Sequence, residues 1–197
     1  MFKLCEKWLF SSAAALFLMS PMAQAVELAG ARLDDVAQVG GRELRLHGAG
    51  VRYKAVFKVY ALGLYLANKH DSAEGALAET GARRLSLVML RDVTADEFGQ
   101  SFVAGISANT DKEARKKLVS PVLRFGEIFA NAGDLKSGDR LLADWVPGTG
   151  MVMSLNGKSV GAPINDQGFY TALMRVWLGE HPVDALLKPL LLGRAPG

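Results

Sequence analysis

The sequence predicts an α+β fold, because its hydrophobic patterns group into strands, helices, strands and helices again rather than alternating one by one. Strand patterns occupy most of residues 44–66 and 140–155, whereas helical spacing dominates residues 94–130 and 166–192. No long polar stretch of the kind that forms a linker separates these groups. We therefore expect a single domain.

Residues 1–25 have the three parts of an export signal: a basic start, an apolar run at residues 8–19 and the small-x-small sequence Ala23-Gln24-Ala25. The apolar run is too short to cross a bilayer of roughly 30 Å as a helix. We therefore expect a periplasmic protein cleaved after Ala25. Residues 26–197 would then form one mature domain without a membrane span.

Composition excludes several classes of function. Cys5, the only cysteine, lies within the predicted signal, so the mature domain can form no disulfide. The net charge of +3 falls by one when the signal is removed, which is too small to indicate binding to nucleic acid or to an anionic membrane. The basic run Arg115-Lys116-Lys117 has helical surroundings, and we interpret it as a solvated helix face.

The predicted strand at residues 44–52 ends at Arg52, whose side chain carries a guanidinium group. Counting by two places Leu44, Leu46, Gly48, Gly50 and Arg52 on one face, provided that no bulge intervenes. Glycines within a strand mark a bulge, or a place where a ligand or another backbone comes close. A guanidinium facing apolar surface needs an oxygen-bearing partner, which is either a protein carboxylate or a ligand.

The next elements follow from apolar runs and capping residues. Residues 56–66 are almost continuously apolar and predict a central strand buried on both faces. A short helix at 71–79 and a strand at 84–93 follow. Thr94-Ala95-Asp96-Glu97 is a capping box that opens a helix through Ser107. That helix places on one face the side chains of Phe98, Phe102 and Ile106.

The second half of the chain predicts helices on either side of a hairpin. A helix at residues 112–130 contains Pro121, which should bend or divide it. Its predicted core residues are Leu118, Val119, Val122 and Phe125. Strands at 140–145 and 151–155 form a hairpin, which Asn156-Gly157 extends by a short third strand. The chain closes with two helices, predicted at residues 166–178 and 183–192.

Common catalytic and metal-binding motifs are absent from the sequence. His47, His70 and His181 lack metal-ligand spacing, so we expect no metal site. Gly48-Ala49-Gly50 has no third glycine and precedes no helix, which argues against a dinucleotide-binding turn. There is no G-x-S-x-G sequence and, in the mature domain, no thiol nucleophile. We expect no cofactor.

Two segments, GAGVRYKAVFKVYALGLYL (48–66) and FYTALMRVWLGEHPVDALLKPLLL (169–192), resemble the chalcone isomerase superfamily. The chain is most similar to the bacterial exported branch of that superfamily, and the resemblance covers nearly all of the mature domain in order. It implies an open-faced β-sandwich, in which a layer of helices covers a large antiparallel sheet. A ligand cleft would lie between the sheet and the helices.

The resemblance also implies a comparison with the catalytic residues of the plant enzymes. Arg52 matches their arginine, and Tyr60 stands where they have a threonine on the next strand. Phe98, Gly105 and Val176 take the places of a tyrosine, an asparagine and a late threonine. An oxyanion contact alone supplies only part of the rate enhancement of such an enzyme. The resemblance therefore predicts that this chain is not a chalcone isomerase.

Fatty-acid-binding members of the superfamily keep an arginine and a tyrosine for the ligand's carboxylate, and Arg52 with Tyr60 is the corresponding pair here. An acyl tail could then lie against Phe98, Phe102 and Val176. Ordinary core packing explains the phenylalanines equally simply. A structural salt bridge would explain the arginine, and a backbone hydrogen bond the tyrosine.

Our hypothesis from the sequence is a non-catalytic periplasmic protein that binds a small amphipathic carboxylate such as a fatty acid. Two alternatives stay open. One is an isomerase or intramolecular lyase, in which Arg52 stabilises an enolate or phenolate and Tyr60 donates a proton. The other is an envelope protein-interaction module whose cleft is filled by side chains.

Overall fold

The computed structural model describes residues 25–194, and its main element is a seven-stranded antiparallel sheet. The strands are neighbours in the sheet in the same order as in the chain. They are β3 (Val36–Val39), β4 (Arg42–Lys54), β5 (Phe57–Leu66), β6 (Arg83–Met89), β7 (Arg140–Val146), β8 (Gly150–Leu155) and β9 (Lys158–Ser159). The predicted α+β class is confirmed.

Helices cover one face of this sheet and enclose the main core. They are α1 (Ala73–Ala78), α2 (Ala95–Ala108), α3 (Lys112–Ala132), α4 (Gln167–Leu178) and α5 (Leu187–Leu191). Leu62 and Leu64 of β5 are fully buried among the apolar side chains of these helices. The arrangement is the helix layer over an antiparallel sheet that the resemblance implied. Among the described residues, no helix combines the length and hydrophobicity needed to cross a bilayer.

A small hairpin covers part of the opposite face of the sheet. Its strands are β1 (Ala25–Leu28) and β2 (Ala31–Asp34), and Leu33 is fully buried against β5 and β6. Sequence reasoning missed this hairpin, together with β3, because four-residue strands with mixed polarity give little periodic signal. The predicted export signal spans residues 1–25, of which residues 1–24 lie outside the described part of the chain. Its last residue, Ala25, is the first residue of β1.

The central position of β5 follows from its composition. Residues from Val59 to Leu66 are all buried, and β5 lies between β4 and β6. Even-numbered side chains face the helices, whereas Ala61 and Tyr65 face the other side of the sheet. The predicted central strand, buried on both faces, is confirmed.

A β-bulge in β4 overturns the prediction that Leu44, Leu46, Gly48, Gly50 and Arg52 share a face. Pairing with β5 passes from Leu46 opposite Tyr65 to Gly48 opposite Leu64, so one extra residue stands between them. The leucines therefore pack on the side away from the helices, whereas the glycines and the arginine face the helices.

The two glycines of β4 make room for helix α5 rather than for a ligand. A Cβ at Gly48 would fall on the carbonyl oxygens of Leu190 and Leu191 in α5. At Gly50 it would meet the side chains of Leu187 and Leu190, at 2.7 and 2.8 Å. Helix α5 thus covers the strand immediately before Arg52. Of Gly48, Gly50 and Arg52, only Arg52 lies beside a cavity.

Two details of the helices differ from the prediction. Val119 is 56% exposed, because the buried face of α3 follows Leu118, Phe125 and Phe129, and Val119 lies about 100° around the helix from Leu118. The helix also continues undivided through Pro121. The last helix is shorter than predicted, because the Asp184 carboxylate accepts hydrogen bonds from the amides of residues 186 and 187 and fixes the helix start there.

Candidate functional site

Arg52 is the centre of the candidate site. It stands opposite Tyr60 in the β4–β5 ladder, faces the helices and is only 9% exposed. Its Nε has no hydrogen-bond partner among residues 25–194, and none of the ion pairs in that range includes Arg52. Its Cζ lies 5.6 Å from the centroid of the Tyr60 ring, a cation–π distance. The described residues therefore supply no oxygen partner for Arg52, and of its three guanidinium nitrogens only Nε is both buried and unpaired.

Tyr60 offers a hydroxyl proton next to that cation. Its hydroxyl oxygen accepts a hydrogen bond from Trp177 Nε1 at 2.9 Å, so the Tyr60 proton takes no part in that bond. Burial raises the pKa of Tyr60 to about 12, although the positive charge of Arg52 acts in the opposite direction. The phenol is therefore neutral at physiological pH and can donate to an anion.

The five side chains predicted as ligand-binding surround one cavity of about 20 Å³, which has room for one or two water molecules. The structure thus brings together residues from two strands and two helices. The cavity is lined by Arg52, Tyr60, Phe98, Phe102 and Val176, and also by Lys54, Val59, Arg91, Val93, Glu97, Ser101 and Val183.

Aromatic packing forms the inner wall of the cavity. Phe98 lies with its ring centroid 6.5 Å from that of Tyr60 and 4.7 Å from that of Phe102. Phe102 in turn packs edge-on against Trp177, at 5.4 Å. Both phenylalanines are less than 5% exposed, so they belong to the hydrophobic core as well as to the cavity wall. Phe98 and Phe102 therefore pack in the core, as the simpler interpretation predicted, and they can also contact a ligand in the cavity.

Gly105 allows α2 and α4 to approach each other closely. A Cβ at this position would lie 2.8 Å from a Val176 methyl group and 3.2 Å from a Val183 methyl group. An asparagine, which the plant enzymes have at the corresponding place, would not fit here without moving α4. The structure thus places Val176 and Phe98 at the cavity and fills the space beside Gly105 with valine side chains.

The mouth of the cavity is electropositive, a feature that sequence reasoning missed. Lys54 Nζ lies 3.1 Å from one oxygen of Glu97, and Arg91 Nη2 lies 3.8 Å from the other. Together with Arg52 there are three cations around one carboxylate. The Thr94 hydroxyl caps α2 as predicted, by accepting from the Glu97 amide at 3.1 Å. The Glu97 side chain, in contrast, turns to these cations.

Two of the three histidines, His47 and His70, are in contact. His47, the extra residue of the bulge, accepts a hydrogen bond on Nε2 from the His70 amide at 3.0 Å. His70 Nε2 lies 2.7 Å from a Glu79 carboxylate oxygen. This network ties β4 to the residues that flank α1 and to α5, and no cluster of metal-ligating residues occurs within the described range.

The arrangement suits the binding of a small anion. Arg52 and Tyr60 can donate hydrogen bonds into the same small cavity, and low local dielectric strengthens such bonds. Glu97 is the one carboxylate that lines the cavity, and it is engaged with two cations. The site therefore supplies anion-stabilising donors and no free carboxylate base.

Comparisons with known proteins support the fold. The family model described as chalcone isomerase-like matches residues 25–193. The structure is similar to the crystal structure of a fatty-acid-binding protein from Arabidopsis thaliana, with a TM-score of 0.65 and 15% sequence identity. That similarity covers 86% of this chain and 96% of the Arabidopsis chain. No curated protein matches the sequence significantly. The match to the family model spans most of the sequence, and the chain therefore belongs to the chalcone isomerase-like family.

Proposed function

We propose that this protein is a non-catalytic, periplasmic member of the bacterial exported branch, and that it binds a small amphipathic carboxylate such as a fatty acid. The observation that carries the proposal is the buried guanidinium of Arg52, which lines a cavity and has no oxygen partner among residues 25–194. A buried polar atom without a partner costs free energy, so we expect the partner of this Nε to be a ligand from outside the described residues.

The ligand carboxylate would accept from the Arg52 guanidinium and from the Tyr60 hydroxyl. The Trp177 indole fixes the position of that hydroxyl and leaves its proton free. Lys54 and Arg91 at the mouth would attract an anion and exceed the charge of Glu97. The Arabidopsis structure with a similar fold is that of a fatty-acid-binding protein, which supports the same class of ligand.

The size of the cavity limits how the ligand binds. About 20 Å³ accommodates the carboxylate alone, because an acyl tail needs several times that volume. A long tail would therefore displace the Phe98 and Phe102 rings from the cavity wall, or lie along the mouth beside Val183. Aromatic side chains packed edge-on can change rotamer when a ligand replaces their contacts.

Export is supported by the pattern of residues 1–25 and by the start of the family match at residue 25. Fractionation of a bacterial host that expresses the full chain tests this part of the proposal. We expect release of a protein beginning at Val26 by osmotic shock, as N-terminal sequencing would show. A cytoplasmic protein that keeps residues 1–25 would contradict it.

Native mass spectrometry and lipid extraction of the purified protein test the binding. We expect a co-purifying acyl carboxylate in the wild type and in Arg115→Ala, which removes an exposed arginine of α3. Arg52→Ala should lose it. Equal acyl content in Arg52→Ala and wild type, or none in any of the three, would refute the proposal.

One observation favours the isomerase or lyase alternative, namely the free proton of Tyr60 beside Arg52. A substrate screen in which turnover disappears in Tyr60→Phe would establish it instead. A structural salt bridge, the other explanation of Arg52, needs an internal carboxylate partner, and none of the ion pairs among residues 25–194 includes Arg52.

A further inference from the structure

The tip of the β4–β5 hairpin exposes large apolar side chains. Lys54 pairs with Phe57, so only two residues form the turn, and the first of them, Ala55, has a φ of 54°. At this tip Val56 is 82% exposed and Phe57 is 61% exposed. Two such side chains standing together on a short turn contribute nothing to the core and indicate a contact surface.

A second segment brings another exposed apolar side chain close to the hairpin. The Asp184 carboxylate accepts from the backbone amide of Tyr53 on β4 at 2.9 Å and from that of Leu186 at 3.0 Å. It thereby holds Leu186, which is 81% exposed, close to the hairpin. Tyr53 itself is 44% exposed and lies on the opposite face of the hairpin from Phe57, which pairs with Lys54. We call Tyr53, Val56, Phe57 and Leu186 the apolar tip.

Cations border the apolar tip. The Arg91 guanidinium lies 5.9 Å from the centroid of the Phe57 ring, and Lys58 is exposed on the strand that follows the turn. Lys54, at the end of β4, is 58% exposed. The nearby carboxylates are engaged: Glu97 with Lys54 and Arg91, and Asp184 with backbone amides. The surface therefore combines exposed apolar groups with excess positive charge.

We propose that the apolar tip inserts into the surface of a bilayer that contains anionic phospholipids. Apolar and aromatic side chains that enter the headgroup region, with lysine and arginine beside them, are the combination that binds such surfaces. Lys54 and Arg91 also line the mouth of the Arg52 cavity, so docking places that mouth at the lipid surface. The docking does not depend on which ligand Arg52 holds.

Flotation of the purified protein with phospholipid vesicles tests this proposal. We expect binding to vesicles of phosphatidylcholine with roughly one third phosphatidylglycerol, and weaker binding to phosphatidylcholine alone or at high salt. The double variant Val56→Ser/Phe57→Ser should bind about tenfold more weakly. Lys58→Gln should bind about fivefold more weakly, as expected for one lost cation near an anionic surface.

The matched control replaces exposed apolar residues elsewhere. Val119 and Leu123 of α3 are 56% and 63% exposed, so Val119→Ser/Leu123→Ser removes a similar apolar surface. This control should bind vesicles as the wild type does. Circular dichroism and thermal unfolding should show the same fold in all variants. Absence of wild-type binding, retention of binding in the tip variant, or an equal loss in the α3 control would each overturn the proposal.

Discussion

Replacement of Arg52 by methionine should stabilise the ligand-free protein while it abolishes carboxylate binding. Methionine keeps a flexible chain of similar length and removes the charge and the unpartnered Nε. An unsatisfied buried polar group costs about 1–3 kcal/mol, more when it is charged. The cation–π contact with Tyr60 stabilises the arginine by about 0.5–1 kcal/mol and so offsets part of that cost.

Together these two effects should make the free energy of unfolding of Arg52→Met about 1 kcal/mol larger than that of the wild type. This corresponds to a rise in Tm of about 2–4 °C for a domain of this size. Urea unfolding followed by circular dichroism measures the change in the free energy of unfolding, after the protein has been stripped of lipid. The same preparation, when offered a fatty acid, should show ligand-dependent stabilisation in the wild type and none in Arg52→Met.

Arg84→Met is a control variant in which we expect a loss of stability instead of a gain. The Arg84 guanidinium forms two hydrogen bonds of 2.6 Å to the Asp144 carboxylate across β6 and β7, and both side chains are 17% exposed. Removing this arginine leaves a largely buried carboxylate unpaired and should cost about 2–4 kcal/mol. A loss of stability in Arg52→Met of comparable size would show that Arg52 has a structural partner, and the reasoning from an unpaired cation would fail.

Three further perturbations follow from the packing and the pKa values. Gly48→Ala should destabilise the protein by about 3 kcal/mol in chemical unfolding, because its Cβ would fall on α5 carbonyl oxygens. Gly126→Ala, in a helix with no atom within 4 Å of the new Cβ, should stabilise it by about 0.5–1 kcal/mol. The pKa of Tyr60 is about 12 in the folded state, compared with the ordinary value of 10 in the unfolded state. The contribution of this difference to stability is therefore present below pH 10 and is lost as the pH rises through 12. Between pH 9 and pH 11 the free energy of unfolding should therefore fall by about 1 kcal/mol less in Tyr60→Phe than in the wild type. The phenolate absorbance of the variant should also lack one group that titrates at high pH.

Local signals predicted the regular elements well. The apolar run of β5, the Thr94 cap of α2 and the turn at Asn156-Gly157 each act through neighbouring residues. In that turn φ is 52° and 79°, the conformation that makes asparagine followed by glycine favourable. Elements whose stability comes from tertiary contacts gave no such signal, as the hairpin β1–β2 shows.

The candidate site was predicted only in part, for a physical reason. Counting by two along β4 cannot detect the extra residue His47, although the count after the bulge still places Arg52 on the helix side. The mouth joins Lys54 of β4 to Arg91, in the loop before α2, and to Glu97 of α2, both of which are distant from Lys54 in sequence. The net charge of the chain, which is small, also gives no indication that exposed cations gather at one hairpin.

Three arginines of this sheet show why surroundings, rather than residue type, decide the interpretation of Arg52. Arg84 satisfies its charge with Asp144. Arg83 is fully buried, and its guanidinium lies 4.9 Å from the Tyr170 ring centroid and 5.8 Å from that of Trp145, while burial lowers its pKa. Aromatic faces thus take the place of an anion there. Arg52 lines a cavity with an electropositive mouth, so an anion from solution can reach it. Of the three, Arg52 is therefore the arginine whose missing partner can be a ligand.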